Sequence, residues 1–196
     1  HHLWEHAEPI VLVDCVTGRE PKMSTQCRLL WDDSFLYAGY LVQDEKVIAT
    51  YSKRDEPLYE EDVVELFLAP AGSLNYYYEF NFSPKNVVLD AVVFNDGGQA
   101  GVGRGNLNTM TEWNCEDICW STRIQPDQNW AVTAAIPFTS LHFAENHPPK
   151  PGDTWRINVC RIEYGLPETE YTAWSPPEIL DFHTTEKFGQ LIFDPE

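Results

Sequence analysis

The sequence predicts an all-β fold, an antiparallel sandwich of two sheets with a jelly-roll-like arrangement and one short helix. Short runs rich in apolar, β-branched and aromatic residues recur about every 8 to 12 residues, the spacing typical of antiparallel sandwiches. Pro, Gly, Asn and Asp lie between the runs, where tight turns require them. A chain of 196 residues can form one sizeable core, so a single domain over residues 1–196 is expected.

Ten segments have the strand pattern, and they are 8–14, 26–32, 34–44, 62–70, 75–84, 86–94, 118–126, 129–137, 154–164 and 188–193. Only the segment 137–145, PFTSLHFAE, resembles a helix. Two stretches are expected to be loops, the glycine-rich stretch 95–114 and the proline-started stretch 175–187. The second of these carries Phe182 and His183, and aromatic residues in a loop are harder to explain by packing than those in a strand.

The composition limits the classes of partner. Lys and Arg total 13 against 31 Asp and Glu, a formal charge of −18, which disfavours nucleic acid and anionic membrane surfaces. No apolar run approaches the roughly 18 residues of a membrane helix. A neutral ligand, or a cation such as calcium, is compatible with this charge. Aromatic residues make up 13% of the chain, which favours a recognition surface, although sandwich cores also use many aromatics.

The five cysteines form no C-x-x-C pair, so neither a zinc site nor a disulfide framework is indicated, and buried free thiols are expected. The sequence begins at His1 without a signal peptide. Removal of such a peptide and an intracellular protein both remain open, with an extracytoplasmic or secreted location favoured. A monomer is expected.

One segment, EPLYEEDVVELFLAP at 56–70, places Glu65 inside an apolar run and Tyr59 just upstream of it. A buried carboxylate is costly unless something pairs with it. Glu79 and Asp90 occupy similar positions in the next two predicted strands. Because side chains alternate across a sheet, we expect the three acids to line one partly wet face.

Two interpretations of these acids remain open. They are structural if cross-strand partners neutralise them, and the candidate partners are Arg123, Arg156, Asn158 and Arg161. Alternatively, they belong to a carbohydrate site, in which aromatic rings stack on the C–H faces of a sugar. A carboxylate can accept two hydroxyl hydrogens in charge-assisted hydrogen bonds.

Catalytic motifs are missing from the sequence. No G-x-S-x-G, H-E-x-x-H or P-loop motif occurs, and the six histidines have no metal-ligand spacing. Glycoside hydrolysis needs two carboxyl groups about 5 to 9.5 Å apart, and so many acids are present that the sequence selects no pair. We therefore predict a protein without catalytic residues, and name no metal ligands.

Several segments together resemble the family 9 carbohydrate-binding modules, and they are WEHAEPIVLVD, RLLWDDSFLYAGYLVQD, EPLYEEDVVELFLAP, YYEFNFSP, NWAVTAAIPFTSL, PGDTWRINVCRIE and TAWSPPEILDFHTTEKFGQLIF. The similarity runs from Trp4 to Phe193. The resemblance implies an antiparallel sandwich that binds carbohydrate without catalysis, often attached to xylanases or related hydrolases. In a well-studied member, two tryptophans grip the reducing end of a glucan or xylan chain.

Transferred position by position, the resemblance places the first stacking ring at Tyr59 and the second at Phe182. The hydrogen-bonding glutamate falls on Glu65, and His183 is expected at the edge of the slot. Glu79 stands where the well-studied member has a sugar-binding arginine. The resemblance thus implies a module that holds one sugar unit of a plant-type polysaccharide or oligosaccharide between two rings.

The resemblance also implies structural calcium, for which the loop 42–46 around Asp44 leaves room, without naming its ligands. Trp174 is expected in the core rather than in the slot. Two alternatives remain. One is a haem or redox domain of the related DOMON type, whose candidate ligands are Met23, Met110, His142 and His183. The other is a docking domain with no sugar site.

Overall fold

The computed structural model describes residues 2–96 and 106–194, which form two antiparallel sheets. The strands in chain order are β1 (Ile10–Val11), β2 (Val13–Asp14), β3 (Thr25–Trp31), β4 (Phe35–Val42), β5 (Val63–Ala69), β6 (Tyr76–Phe82), β7 (Val88–Asn95), β8 (Leu107–Met110), β9 (Cys119–Ile124), β10 (Trp130–Pro137), β11 (Thr154–Glu163), β12 (Glu170–Ala173) and β13 (Gly189–Ile192).

The smaller sheet has the order β1-β3-β4-β10-β9, and the larger has the order β2-β12-β11-β5-β6-β7-β8 with β13 paired to β11. Short 3₁₀ helices lie at His2–His6, Leu58–Glu60, Phe138–Ser140 and Thr185–Lys187. The predicted all-β sandwich is therefore confirmed. None of the described helices is long and apolar enough to cross a membrane.

Every predicted strand segment contains a strand, but the segment 8–14 contains two, β1 and β2, which join different sheets. Two further strands were not predicted. β8 lies within the stretch expected to be a loop, of which residues 97–105 are outside the described residues, and β12 follows a turn after β11. Both are only four residues long, and β8 lies at a sheet edge, so neither produces the apolar alternation of a longer strand.

The segment expected to form a helix, 137–145, contains only the 3₁₀ turn Phe138–Ser140. The Leu141 amide donates to the Phe138 carbonyl and the Ala144 amide to the Leu141 carbonyl, both at 3.0 Å. Successive turns thus place all three side chains in the core, which explains why their spacing imitates a helix.

The inner core lies between the sheets. Alternate side chains of β4 and β10, such as Tyr40 and Val132, pack against those of β5 and β6, such as Leu66 and Phe80. Trp174 packs against this core, as expected, and its indole ring lies so close to Gly189 that a Cβ there would be 2.3 Å from it. This contact explains why glycine stands at position 189, since any side chain there would collide with the indole.

A second cluster, the outer cluster, covers the other face of the larger sheet. It contains Val63 and Phe67 of β5, Tyr77 of β6 and the loop residues Phe182 and Phe188. Because both faces of β5 are covered, every residue of this strand is buried. This burial explains why the segment around Glu65 appears as a continuous apolar run.

The expectation that Asp90 shares a face with Glu65 and Glu79 is wrong. Glu79 pairs with Ala91, and Asp90 pairs with Phe80, so Asp90 points to the inner face. Its two carboxylate oxygens accept hydrogen bonds from Nε and a terminal nitrogen of Arg54 at 2.8 and 2.6 Å. The strand register decides this, because a shift of one residue moves a side chain to the opposite face.

The five cysteines are free thiols, four of them buried and Cys119 exposed. Burial raises the pKa of Cys15, Cys27 and Cys115 to about 12, so these thiols are unreactive at neutral pH.

Candidate functional site

A cavity of about 770 Å³ opens on the outer face of the larger sheet, and we call it the outer-face cavity. Its lining comes from β5 and β6, the turn around Tyr59, the start of the β11–β12 connection and the loop 180–183. All five residues singled out from the sequence line it, and they are Tyr59, Glu65, Glu79, Phe182 and His183. Residues more than 100 positions apart in the chain thus meet at one site.

Glu65 and Glu79 lie on the central strands β5 and β6 and are only 2% and 4% exposed. Glu65 pairs with Asn81, and Phe67 pairs with Glu79, so the two acids are diagonal neighbours on one face. The Asn81 side-chain amide donates to Glu79 Oε1 at 2.9 Å. These two carboxyl groups therefore line the cavity from the sheet.

The Glu65 carboxyl is the unusual group. Among residues 2–96 and 106–194, no side chain or amide donates a hydrogen bond to it, and no arginine or lysine pairs with it. Arg161, one of the candidate partners, lies on the inner side and bonds to Asp44 and Glu163 instead. Burial, together with the charge of Glu79, raises the pKa of Glu65 well above 4.5. The carboxyl therefore keeps its proton to a higher pH than a free glutamate does, and in the protonated form it can donate one hydrogen bond and accept others.

Tyr59 lies at the solvent edge of the cavity, on the 3₁₀ turn Leu58–Glu60. The buried side chain of Leu58 anchors this turn, whereas the Tyr59 side chain is 47% exposed. The hydroxyl of Tyr164 donates to the Tyr59 carbonyl at 3.1 Å and so fixes the backbone. The turn is held in place while the Tyr59 ring stays accessible to a ligand.

Phe182 differs from Tyr59 in exposure, since only 8% of it is accessible. It belongs to the outer cluster, and its ring centroid lies 6.1 Å from that of Tyr171 in a tilted arrangement. Phe182 therefore forms part of the cavity wall and also packs in the outer cluster. The prediction that the two rings hold a sugar between them stays a prediction.

His183 is held on several sides. Its Nδ1 lies 2.6 Å from the Tyr77 hydroxyl, and its ring meets Phe67 edge to face with centroids 5.5 Å apart. Its amide donates to Asp181 Oδ1, and its carbonyl accepts from the Asn95 side chain, both at 3.0 Å. These contacts attach the loop 180–183 to the sheet, so His183 sits at the cavity wall with a fixed backbone.

Sequence reasoning missed several lining residues, among them Asp55, Thr109, Tyr164, Tyr171 and Leu180. The two tyrosines flank the turn between β11 and β12, and β12 was not predicted. A signal was present for Tyr164, because it lies on the same alternating face as Cys160, which pairs with Glu65. Thr109 belongs to β8, which was taken for a loop.

Three buried carboxylates converge at a second place. Oxygens of Asp44, Asp62 and Glu163 lie within 4.8 Å of one another. Arg161 bonds to Asp44 and Glu163, so one guanidinium faces three acids. Burial is the main cause that raises the pKa of Asp62 to about 6 and that of Glu163 to about 7.

The donor chemistry of this cluster fits calcium, which binds carboxylate and carbonyl oxygens. The Tyr164 amide donates to Asp62 at 2.7 Å, and the Trp130 indole donates to Asp44 at 3.1 Å. Each carboxylate has about four lone-pair positions, so oxygen acceptors remain after these bonds. A divalent ion would also balance the excess of negative charge.

A larger groove of about 1070 Å³ lies elsewhere, lined by residues such as Leu29, Trp31, His147, Lys150 and Phe193. None of the five predicted site residues lines it. Trp31 is the obvious stacking ring there, but its indole nitrogen donates to the Asp194 carbonyl at 3.1 Å, and the ring packs edge to face on Phe193. The ring of this groove best suited to stacking is thus already held by contacts within the protein.

The residues considered as haem ligands are dispersed. His183 lines the outer-face cavity, whereas His142 lies beside His147 with ring centroids 6.3 Å apart. Met110 is 40% exposed on β8, and no methionine occurs among the described residues that line the cavity.

Comparisons with known proteins identify the family of the chain. The model of the family described as "Carbohydrate family 9 binding domain-like" matches residues 1–194. The chain is 25% identical over 186 residues to an "Extracellular protein" of Arthroderma benhamiae, covering 91% of this chain and 82% of that protein.

Among solved structures, the chain is similar to a putative carbohydrate-binding protein from Bacteroides uniformis, with a TM-score of 0.76, 18% identity and coverage of 97% and 88% of the two chains. It is also similar to a family 9 carbohydrate-binding module from Caldicellulosiruptor kristjanssonii, solved with cellotriose, with a TM-score of 0.64, 15% identity and coverage of 100% and 87%. The same module was solved with glucose, and that structure gives a TM-score of 0.62 at 15% identity, covering 98% and 86% of the two chains.

Proposed function

Because the chain belongs to the carbohydrate family 9 binding domain-like family, we propose that it is a non-catalytic module that binds one sugar unit in the outer-face cavity. The observation that carries this proposal is Glu65, which is 2% exposed and whose side-chain carboxyl receives no hydrogen bond from the described residues. Burying a polar side chain without a protein partner costs about 1–3 kcal/mol, and because Glu65 lines the cavity, a ligand hydroxyl can bond to its carboxyl there.

The remaining lining supplies what a pyranose needs. The exposed ring of Tyr59 offers a flat apolar surface for the C–H face of the sugar, and Phe182 forms an apolar wall. Glu65 and Glu79 offer acceptors and, in the protonated form of Glu65, one donor for hydroxyl groups. His183 positions the loop that carries Phe182.

The ligand class that we propose is a hexopyranose unit, such as the glucose unit of a glucan or related plant-type oligosaccharide. Two of the similar structures contain cellotriose and glucose, and the resemblance to their family supports a ligand of this class. The cavity of about 770 Å³ has room for one or two sugar units and not for a long chain segment enclosed on all sides.

Isothermal titration calorimetry with glucose and cellotriose tests this proposal. We expect binding to the unmodified protein and a clear loss for Tyr59→Ala. The matched control is Tyr37→Ala. Tyr37 lies on the smaller sheet and does not line the outer-face cavity, and its hydroxyl donates to Asp32 at 2.8 Å. Absence of binding, or equal affinity of the Tyr59 and Tyr37 variants, would contradict the proposal.

We also propose that the cluster of Asp44, Asp62 and Glu163 holds a structural calcium ion. The support is the convergence of three carboxylates around a single guanidinium, together with the family resemblance. Calcium bound there would connect the end of β4 to the start of β5 and the end of β11, two strands that carry the cavity floor.

A further inference from the structure

The outer-face cavity is rich in carboxyl groups. Its described lining includes Asp55, Glu60, Glu65, Glu79 and Asp181, and the same set of described residues contains no lysine and no arginine. Two of these acids, Glu65 and Glu79, are almost fully buried. A ligand in this cavity therefore meets negative charge and acceptor oxygens on the sheet side.

Two other buried acids pair with a guanidinium, and a third, Asp62, accepts hydrogen bonds from the amides of Ile48 and Tyr164. Asp90 has the guanidinium of Arg54 at 2.6 Å, and Asp44 has that of Arg161 at 3.3 Å. Within the described part of the chain, Glu65 and Glu79 have no such partner. The Glu79 carboxyl receives one neutral hydrogen bond from the Asn81 side chain, and the Glu65 carboxyl receives none from the described residues.

We propose that the outer-face cavity selects amino sugars, binding a 2-amino-2-deoxyhexose more tightly than the neutral hexose and rejecting the hexuronate. This inference rests on the proposed sugar-binding function of the same cavity and adds the charge of the ligand. The ammonium group of such a sugar supplies three donors and no acceptor, and it faces Glu65 and Glu79, which offer acceptors.

The physical reason is the difference between neutral and charge-assisted hydrogen bonds. A hydroxyl donates one neutral hydrogen bond, whereas an ammonium donates to carboxylates in bonds roughly twice as strong. The effect increases in a buried site because the local dielectric is low. A uronate carboxylate in the same place adds a negative charge beside two acids and can accept at most the one proton that Glu65 retains, so it binds more weakly than either the neutral or the cationic sugar.

Titration calorimetry with glucosamine, glucose, N-acetylglucosamine and glucuronate, at one pH and one ionic strength, tests the proposal. We expect glucosamine to bind about tenfold more tightly than glucose, and glucuronate to bind weakest. N-acetylglucosamine controls for size at the 2-position, because its amide is neutral, and its affinity should stay below that of glucosamine.

The Glu79→Gln variant gives a second measurement. It keeps the side-chain shape and removes one charge, so we expect the ratio of glucosamine to glucose affinity to fall several-fold. The matched control is Glu116→Gln, an exposed acid that does not line the cavity, for which the ratio should not change.

The outcomes separate this inference from the proposed function. If glucose and glucosamine bind equally well, or if glucuronate binds best, the selection of amino sugars is overturned while sugar binding itself stands. Failure of all four sugars to bind would overturn both. A ratio that Glu79→Gln and Glu116→Gln reduce equally would also contradict the assigned role of Glu79.

Discussion

Replacement of Glu65 by leucine should change stability and sugar binding in opposite directions. Glu65 is buried, its side-chain carboxyl receives no hydrogen bond from the described residues, and it lies beside a second acid. Leucine has a similar size and the apolar character of its neighbours Phe67 and Ile162 in the outer cluster. The variant should therefore fold more stably and lose the group that would bind the sugar.

The magnitude follows from the cost of an unmade hydrogen bond in a buried site. This cost is about 1–3 kcal/mol, and leucine would recover it. For a chain of this length, each kcal/mol shifts the melting temperature by about 2–4 °C, so we expect a rise of roughly 2 to 12 °C. The loss of hydrogen bonds to a charged or partly charged group should weaken glucose binding by about 1.5–3 kcal/mol, roughly 10- to 150-fold.

The pH dependence of folding stability also tests whether the Glu65 carboxyl destabilises the protein. The pKa of Glu65 is raised in the folded protein, whereas in the unfolded chain it is near 4.5. Above pH 4.5, the unfolded chain has released a proton that the folded chain retains, so rising pH favours unfolding. The Glu65→Gln variant cannot ionise at this position and keeps a buried amide there. Its stability relative to the unmodified protein should therefore increase as the pH rises above 4.5.

Thermal melting between pH 4 and pH 8, together with calorimetric titration of glucose, measures both effects. Glu61→Gln is the matched control in the same segment. Glu61 accepts hydrogen bonds from the amides of Thr50 and Tyr51 at 2.5 and 3.3 Å, so its replacement should lower the melting temperature. A Glu65→Leu protein that melts below the unmodified protein, or that binds glucose with unchanged affinity, refutes the reasoning.

Three further outcomes are expected. Tyr59→Ala should weaken glucose binding by about 0.5–1.5 kcal/mol without a change in melting temperature, since the side chain is 47% exposed; a large loss of stability would contradict its role as a ligand-facing ring. Phe182→Ala should instead lower the free energy of unfolding in urea by about 3 kcal/mol, because Phe182 is buried in the outer cluster, and an unchanged unfolding midpoint would disprove that burial. Calcium at 100 times its dissociation constant should stabilise the protein by about 2.7 kcal/mol in thermal melting, with the effect lost in Asp62→Asn; equal melting curves with calcium and with a chelator would exclude a structural ion there.

The fold was accessible from the sequence because its causes are local. Alternating side chains, β-branched and aromatic residues and turn-forming residues between them identified every strand long enough to show the pattern. The short strands β8 and β12 were missed, since four residues at a sheet edge or beside a turn bury too little apolar surface to shape the sequence. The spacing in 137–145 resembled that of a helix for a different reason. Consecutive turns there place every third residue in the core.

The sequence by itself determined the sandwich class and, through the family resemblance, the residues Tyr59, Glu65, Glu79, Phe182 and His183 that meet at one cavity. Only the tertiary structure decided which acids are paired. It turned Asp90 inward to Arg54, left Glu65 without a donor among the described residues, and brought together the distant carboxylates of Asp44, Asp62 and Glu163. The physical reason is that strand register and loop packing fix the neighbours of a buried charge, and neither is encoded in the local pattern around that charge.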